Sequence, residues 1–152
     1  MSLLLRKGDW SGQGRVVIEG TSLGVKFELD PFSISDDEGG WTLTGQLSGE
    51  FDGQVSIRIA ADEEGTYVID AQVAGLALDG RAKMESQPNL ALLWNAAHTQ
   101  AASVTLFQAS GGIGCRGFFH EAGRTCTWEV RFVRRQERIG GDNVVSLARR
   151  RR

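Results

Sequence analysis

Two cysteines, two histidines and four tryptophans are the residues of this 152-residue chain best equipped for chemistry. Cys115 and Cys126 could form a redox pair or ligate a metal. They fall on one face of a hairpin made by segments 113–120 and 124–135, four residues out of register. At about 3.3 Å per residue this separates them by about 13 Å, beyond disulfide reach. They read as small buried hydrophobes. His98 and His120 could ligate a haem or act as a general base. His120 falls on the outer phase of its strand near a turn, where a solvated imidazole is the simpler reading. His98 follows an apolar segment and could point into a cavity mouth.

The familiar catalytic signatures are missing. There is no Gly-x-Ser-x-Gly and no His-Glu-x-x-His. The glycine runs at Gly12-Gln-Gly14 and Gly111-Gly-Ile-Gly114 lack the strand–helix context of a phosphate loop. Asp36-Asp37-Glu38 and Asp62-Glu63-Glu64 read as turn charges, because a calcium loop needs spaced ligands and a closing bidentate carboxylate. No metal site and no cofactor motif emerge from the residues. An enzyme therefore ranks last among the function classes, with no base–nucleophile pair in view.

Trp10, Trp41, Trp94 and Trp128 remain. Three fall on the apolar phase of strands, where core packing is the ordinary use. Large rings also suit the wall of an apolar pocket. The charge is uneven. Net charge is −2 overall, but residues 1–90 carry −8 and residues 91–152 carry +6. Such a dipolar chain can orient a partner or associate with itself as a homodimer. Arg131, Arg134, Arg135 and Arg138, with the terminal four arginines, form a basic C-terminal edge. Phe118 is the only aromatic residue interleaved on its exposed phase, so nucleic-acid binding is not favoured.

The elements that must position these residues are strands. From Trp10 to about Arg135, apolar residues recur at every second position and turn signals every eight to twelve residues. Such alternation marks an antiparallel sheet with one dry face. Strand one buries Trp10, Gly12, Gly14, Val16 and Ile18; strand two buries Leu23, Val25, Phe27 and Leu29 before Pro31 ends or bends it. Between strands three and four, a three-residue loop Asp52-Gly53-Gln54 would set Leu47 opposite Ile59, with Gly53 at positive φ. At Gly75 the apolar phase slips by one residue, which predicts a bulge or tight bend. Asn89–His98 does not alternate, and a short helical segment capped by Asn89 is slightly favoured over a strand. In the last hairpin Phe119 faces Cys126, Gly117 faces Trp128 and Cys115 faces Val130. About nine strands in a meander predict an all-β, antiparallel, up-and-down barrel, with a β-sandwich as the alternative. One domain covers 1–138, and 139–152 is an Arg-rich flexible tail. No apolar run is long enough to span a membrane. The N-terminal cations follow a three-leucine run, the reverse of a secretory signal, which points to the cytoplasm.

The opening Gly8-Asp-Trp10-Ser-Gly12-Gln-Gly14 on the first strand, followed by a hairpin meander, resembles the calycin superfamily. That group includes lipocalins, fatty-acid-binding proteins and nitrobindin-like haem barrels. The resemblance implies a calycin-like barrel. Trp10 would be structural, closing one barrel end against an arginine of a late strand, Arg131 or Arg134. For the nitrobindin-like members it implies haem held by a late histidine. Only His120 stands there, on the outer phase. The later sequence blocks of lipocalins have no counterpart.

These readings predict a binding protein holding a small apolar or amphipathic ligand inside a β-barrel. Its wall would be Phe27, Trp41, Tyr67, Trp94, His98 and Trp128. The alternative is a solid barrel whose acidic body or basic C-terminal end engages a macromolecular partner.

Overall fold

The computed structural model describes residues 4–21, 24–63 and 65–135. Ten strands follow one another: β1 (Gly8–Ile18), β2 (Gly24–Asp37), β3 (Gly40–Gly49), β4 (Gly53–Ala61), β5 (Tyr67–Val73), β6 (Leu76–Lys83), β7 (Asn89–Trp94), β8 (Gln100–Ala109), β9 (Gly112–Glu121) and β10 (Arg124–Arg134). Each pairs antiparallel with the next, and β1 pairs with β10, closing the sheet into a barrel. The ten-stranded closed antiparallel barrel is compatible with a calycin-like fold. Leu23, Glu64 and the Arg-rich tail, including Arg138, lie outside the described residues, as does the boundary at 138. Among the described residues no helix is long and apolar enough to cross a membrane.

The last hairpin has the register expected from its apolar pattern: Cys115 faces Val130, Gly117 faces Trp128 and Phe119 faces Cys126. Ala122 (φ 52°) and Gly123 (φ 76°) make its two-residue turn, a left-handed pair whose twist suits a hairpin. Ala74 (φ 50°) and Gly75 (φ 85°) do the same between β5 and β6. The phase slip at Gly75 is thus a complete turn between two strands.

Three expectations need correction. The stretch from Asn89 is strand β7 to Trp94 and then a turn, not a helix. Leu90, Leu92 and Trp94 face outward while Ala91 and Leu93 face inward, so apolar residues on both faces hid the alternation. Asn89 is buried, and with its amide nitrogen turned inward it donates to the carbonyls of Met84 and Ser86, both at 3.1 Å. It braces the preceding loop instead of capping a helix. With β5 and β6 counted apart and β7 a strand, the total is ten. The third correction is register. Leu47 faces Gly53, and Ile59 faces Trp41. β3 leaves β4 after Leu47, while Ser48 and Gly49 remain paired with β2, at Glu28 and Phe27; Gly49 (φ 104°) turns the chain there. Both registers have the same parity, so the apolar residues still share one face, and Gly53 takes a positive φ as anticipated. Pro31 bends β2 without ending it: the ladder to β3 shifts between Leu29 and Phe32.

The two barrel ends differ. At the end where β1 begins, Leu4, Leu5, Trp10, Phe32, Ile34, Trp41, Met84 and Ile113 are all buried. The Trp10 indole Nε1 donates to the Arg6 carbonyl at 3.0 Å, pinning residues 4–7 across that end. The interior alternates rings with glycines, so that facing strands interdigitate. A Cβ on Gly12 would lie 2.8 Å from the Phe132 ring, on Gly14 2.6 Å from Phe27, and on Gly45 2.7 Å from Phe32. Each ring occupies the space a neighbouring side chain would need.

Cys115 lies in this core, and burial pushes its thiol up to about 12 from an ordinary 9.0. A folded-state value above the unfolded one stabilises the fold fully below the unfolded value and loses that contribution as pH rises toward the folded one. Urea titrations of wild type and Cys115→Ala should therefore show the wild type losing its advantage between pH 9.0 and about 12. A stability gap that does not change over that window would contradict the buried thiol.

Candidate functional site

Away from the Trp10 end, the inward-facing residues are apolar but only half-buried. The register assembles them into rows across strands. The outermost row runs Leu93–Ala102–Phe119–Cys126–Ile18. The next runs Ala91–Val104–Gly117–Trp128–Val16–Val25. Val104, Trp128 and Val16 pack against the buried core, so the second row is the throat below the first row's rim. Every residue in both rows retains partial exposure. On the inner face of a barrel this means that water reaches them through an open end. That end carries the short turns at 74–75 and 122–123 and the turn at 95–99.

Trp128 is the one inward-facing tryptophan at this end; Trp94, beside the rim residue Leu93, is on the outward phase. The position of Trp128 depends on Gly117 across the β9–β10 ladder. A Cβ there would lie 2.6 Å from the Trp128 ring and 2.0 Å from the Ser103 carbonyl oxygen. Cys126 stands at the rim, and partial burial raises its thiol above the ordinary value. It is therefore a protonated, weakly reactive thiol at neutral pH.

The six residues expected to line one wall are not brought together. Phe27 and Trp128 face inward, and the Phe27 ring lies edge-on to Phe51 at 6.3 Å. The Trp41 and Tyr67 rings pack at a tilt of 47°, their centres 5.4 Å apart, in the closed half. The Tyr67 hydroxyl donates to Glu85 at 3.2 Å, and burial and this carboxylate together raise the phenol's pKa. Trp94 lies on the outward phase of β7, opposite Asp79 and Ala101. His98 is exposed in the β7–β8 turn at φ 57°. The Asn95 side chain organises that turn, accepting from the amides of Thr99 and Gln100, both at 2.9 Å. His120 is exposed on the outer phase of β9, its Nδ1 2.8 Å from the Thr125 hydroxyl. Sequence periodicity missed the throat residues Val104 and Val16 as wall candidates. They are ordinary aliphatics, and only the closed register shows which barrel end they occupy.

Arg134 stands opposite Trp10 in the ladder, and its Nη2 donates to the Lys7 carbonyl at 2.8 Å. Arg131 points outward and donates to the Ser110 carbonyl. The acidic clusters brace turns. Asp37 is held by both terminal nitrogens of Arg58, each at 3.0 Å, and accepts from the Gly39 amide. The Arg58 guanidinium and then that amide lower its pKa. Asp62 pairs with Arg81 at 2.8 Å. Among the described residues no three His, Cys, Asp or Glu side chains gather as a metal-binding group.

One outer patch is apolar. Leu92 (62% exposed) and Phe118 (56%) flank Ser103 in one row, with Leu90 beside them. No protein-family model matches the chain, and no curated protein matches it.

Replacing Gly117 with Ala sets a methyl against a backbone oxygen. The fold should lose about 1–3 kcal/mol, the usual cost of overpacking. Trp128 emission should shift in the same variant, since the indole must move. Unchanged melting and emission would show that the β8–β9–β10 contact is looser than described.

Proposed function

We propose that this protein is a binding module that admits a small apolar or amphipathic molecule at the open end of a calycin-type barrel. The observation that carries the reading is the pair of half-exposed apolar rows inside one barrel end, above a closed and packed opposite end. Apolar surface held in contact with water is favourable to cover, at about 25 cal/mol per Å². Barrel mouths are recurrent ligand sites. The relation to calycins is supported by Trp10 at the closed end with Arg134 opposite it. The wall is Trp128, Phe119, Val104, Leu93 and Val16, so Trp128 alone persists from the aromatic set at the mouth.

N-phenyl-1-naphthylamine, a neutral apolar fluorophore, tests this directly. Its emission should rise saturably, Trp128 emission should fall, and alkylation of Cys126 should slow in proportion to occupancy. Val104→Glu places a charge in the throat and should abolish these effects. Alkylation of Cys126 at an unchanged rate under saturating probe would refute a ligand in the mouth.

The exposed row Leu92–Ser103–Phe118 favours a second reading, in which two copies associate through the outer face of β7–β9. Contiguous apolar surface of this kind marks interaction sites. Sedimentation velocity should show a concentration-dependent dimer that Leu92→Ser with Phe118→Ser removes. A monomer at every concentration would dispose of it.

A further inference from the structure

The outer wall of β2–β1–β10–β9–β8 contains a groove of about 630 Å³. Its lining joins outward residues of five strands with Gly14, Phe27, Cys115 and Val130 between them. Two cross-strand rows build it. The first runs Lys26–Arg15–Glu129–Arg116. The second runs Glu28–Gln13–Arg131–Gly114–Phe107. The outside of a barrel is ordinarily convex, so a concavity here is an unusual feature of the wall.

Phe107 occupies the β8 side of the groove. It lies where a side chain on Gly114 would be, since a Cβ there would approach its ring to 2.4 Å. The Arg116 guanidinium sits 5.2 Å from the centre of the same ring. The ring is therefore overlain by a cation and leans on the Gly114 backbone, a packed cation–aromatic pair at one side of the groove.

The charges are unbalanced. Four cations, Arg15, Lys26, Arg116 and Arg131, face two carboxylates, Glu28 and Glu129. Glu129 lies 3.6 Å from Arg116, and Arg131 is held by the Ser110 carbonyl. Arg15 and Lys26 are directly opposite each other in the β1–β2 ladder. Like charges directly opposed in an antiparallel pair are unfavourable. Among the described residues neither cation makes an ion pair. An anion placed between them would relieve the repulsion and accept charge-assisted hydrogen bonds from both.

We propose that this groove binds a small aromatic anion, a carboxylate or phosphate held between Arg15 and Lys26 with its planar body lying along the groove toward the Arg116–Phe107 pair. The site is separate from the barrel mouth, because its side chains stand on the opposite face of the same strands. The volume suits a molecule of metabolite or drug size. It would take a ligand with at least one anionic oxygen at one end and a planar apolar body.

Phenyl phosphate is a suitable probe, followed by amide chemical-shift mapping of the full chain. Saturable shifts should concentrate at 13–15, 26–28, 114–116 and 129–131. Arg15→Gln with Lys26→Gln should weaken binding by at least about tenfold, as expected for losing two charge-assisted contacts. The double variant should keep the wild-type spectrum elsewhere, since both side chains are exposed. Phenyl phosphate should also bind more tightly than inorganic phosphate, and Phe107→Ala should erase that difference. Scattered shifts, unchanged affinity in the double variant, or equal affinity for inorganic phosphate would overturn the proposal. Much tighter binding of a short single-stranded oligonucleotide at the same residues would overturn it in favour of a nucleic-acid surface.

Discussion

The pairing of the first strand with the last is the interaction on which everything else depends. The β1–β10 ladder runs from Trp10 opposite Arg134 to Ile18 opposite Cys126. It turns a ten-strand meander with two exposed edges into a closed wall without any. It also settles the electrostatics. The acidic first part of the chain and its basic last part are brought side by side by this seam: Arg135, just past β10, pairs with Asp30 of β2, and Arg15 of β1 stands opposite Glu129 of β10. Opposite charges more than a hundred residues apart in the chain thus become neighbours, with the cation late in one pair and early in the other. The throat row and both groove rows cross the same seam. Without closure, neither the apolar mouth nor the outer concavity would exist.

Closure alone would leave a hollow tube, and glycine decides how it fills. Phe132, Phe27 and Phe32 lie over glycines of neighbouring strands inside, and Trp128 lies over Gly117 nearer the mouth. Outside, Phe107 lies over Gly114. A ring that drops into the gap left by a missing side chain covers backbone that would otherwise be loosely packed. This gives Gly12, Gly14, Gly45, Gly114 and Gly117 a structural use other than in turns. The closed end is completed by Leu4, Leu5 and the Trp10 indole. The opposite end has no comparable plug among the described residues. The asymmetry follows from what covers each end: Leu4 and Leu5 are buried beside Trp10, Phe32, Trp41 and Met84, whereas the rings of Phe119 and Trp128 share the other end with Ala102, Ala91 and Gly117.

Much of the fold was legible in the sequence because one physical rule governs it. Alternation places the apolar residues, and parity preserves the dry face even when the register is misjudged, as it was between β3 and β4. The last hairpin was read correctly residue by residue, since its short turn leaves little freedom. β7 was opaque because Leu90, Leu92 and Trp94 are apolar on the wet face. The site was harder. Periodicity says which residues point inward, but not which end of the barrel each one reaches. That depends on ten registers compounded around a closed circle. Trp41 and Tyr67 therefore share an inward phase with Trp128 yet lie in the closed half. The groove was invisible for the same reason, because Lys26 and Phe107 become parts of one surface only across five strands.

The mouth and the groove are two faces of one stretch of wall. Residues 13–16 show this most directly: Gln13 and Arg15 line the outer groove, while Gly14 and Val16 face the interior. On β9, Cys115 is buried beneath the groove while Arg116 stands over Phe107, and on β10, Val130 lies between Glu129 and Arg131 in the same way. A strand can serve two surfaces in this manner because successive side chains leave it in opposite directions. The backbone common to both is held by ladders on either side, so a polar substitution on the outer phase need not disturb the apolar rows within. The constraint runs the other way at the glycines. Gly14 is fixed by the Phe27 ring inside and Gly114 by the Phe107 ring outside, so the positions least free to change are those where the wall is thinnest. At those points one missing side chain determines the packing of a whole face.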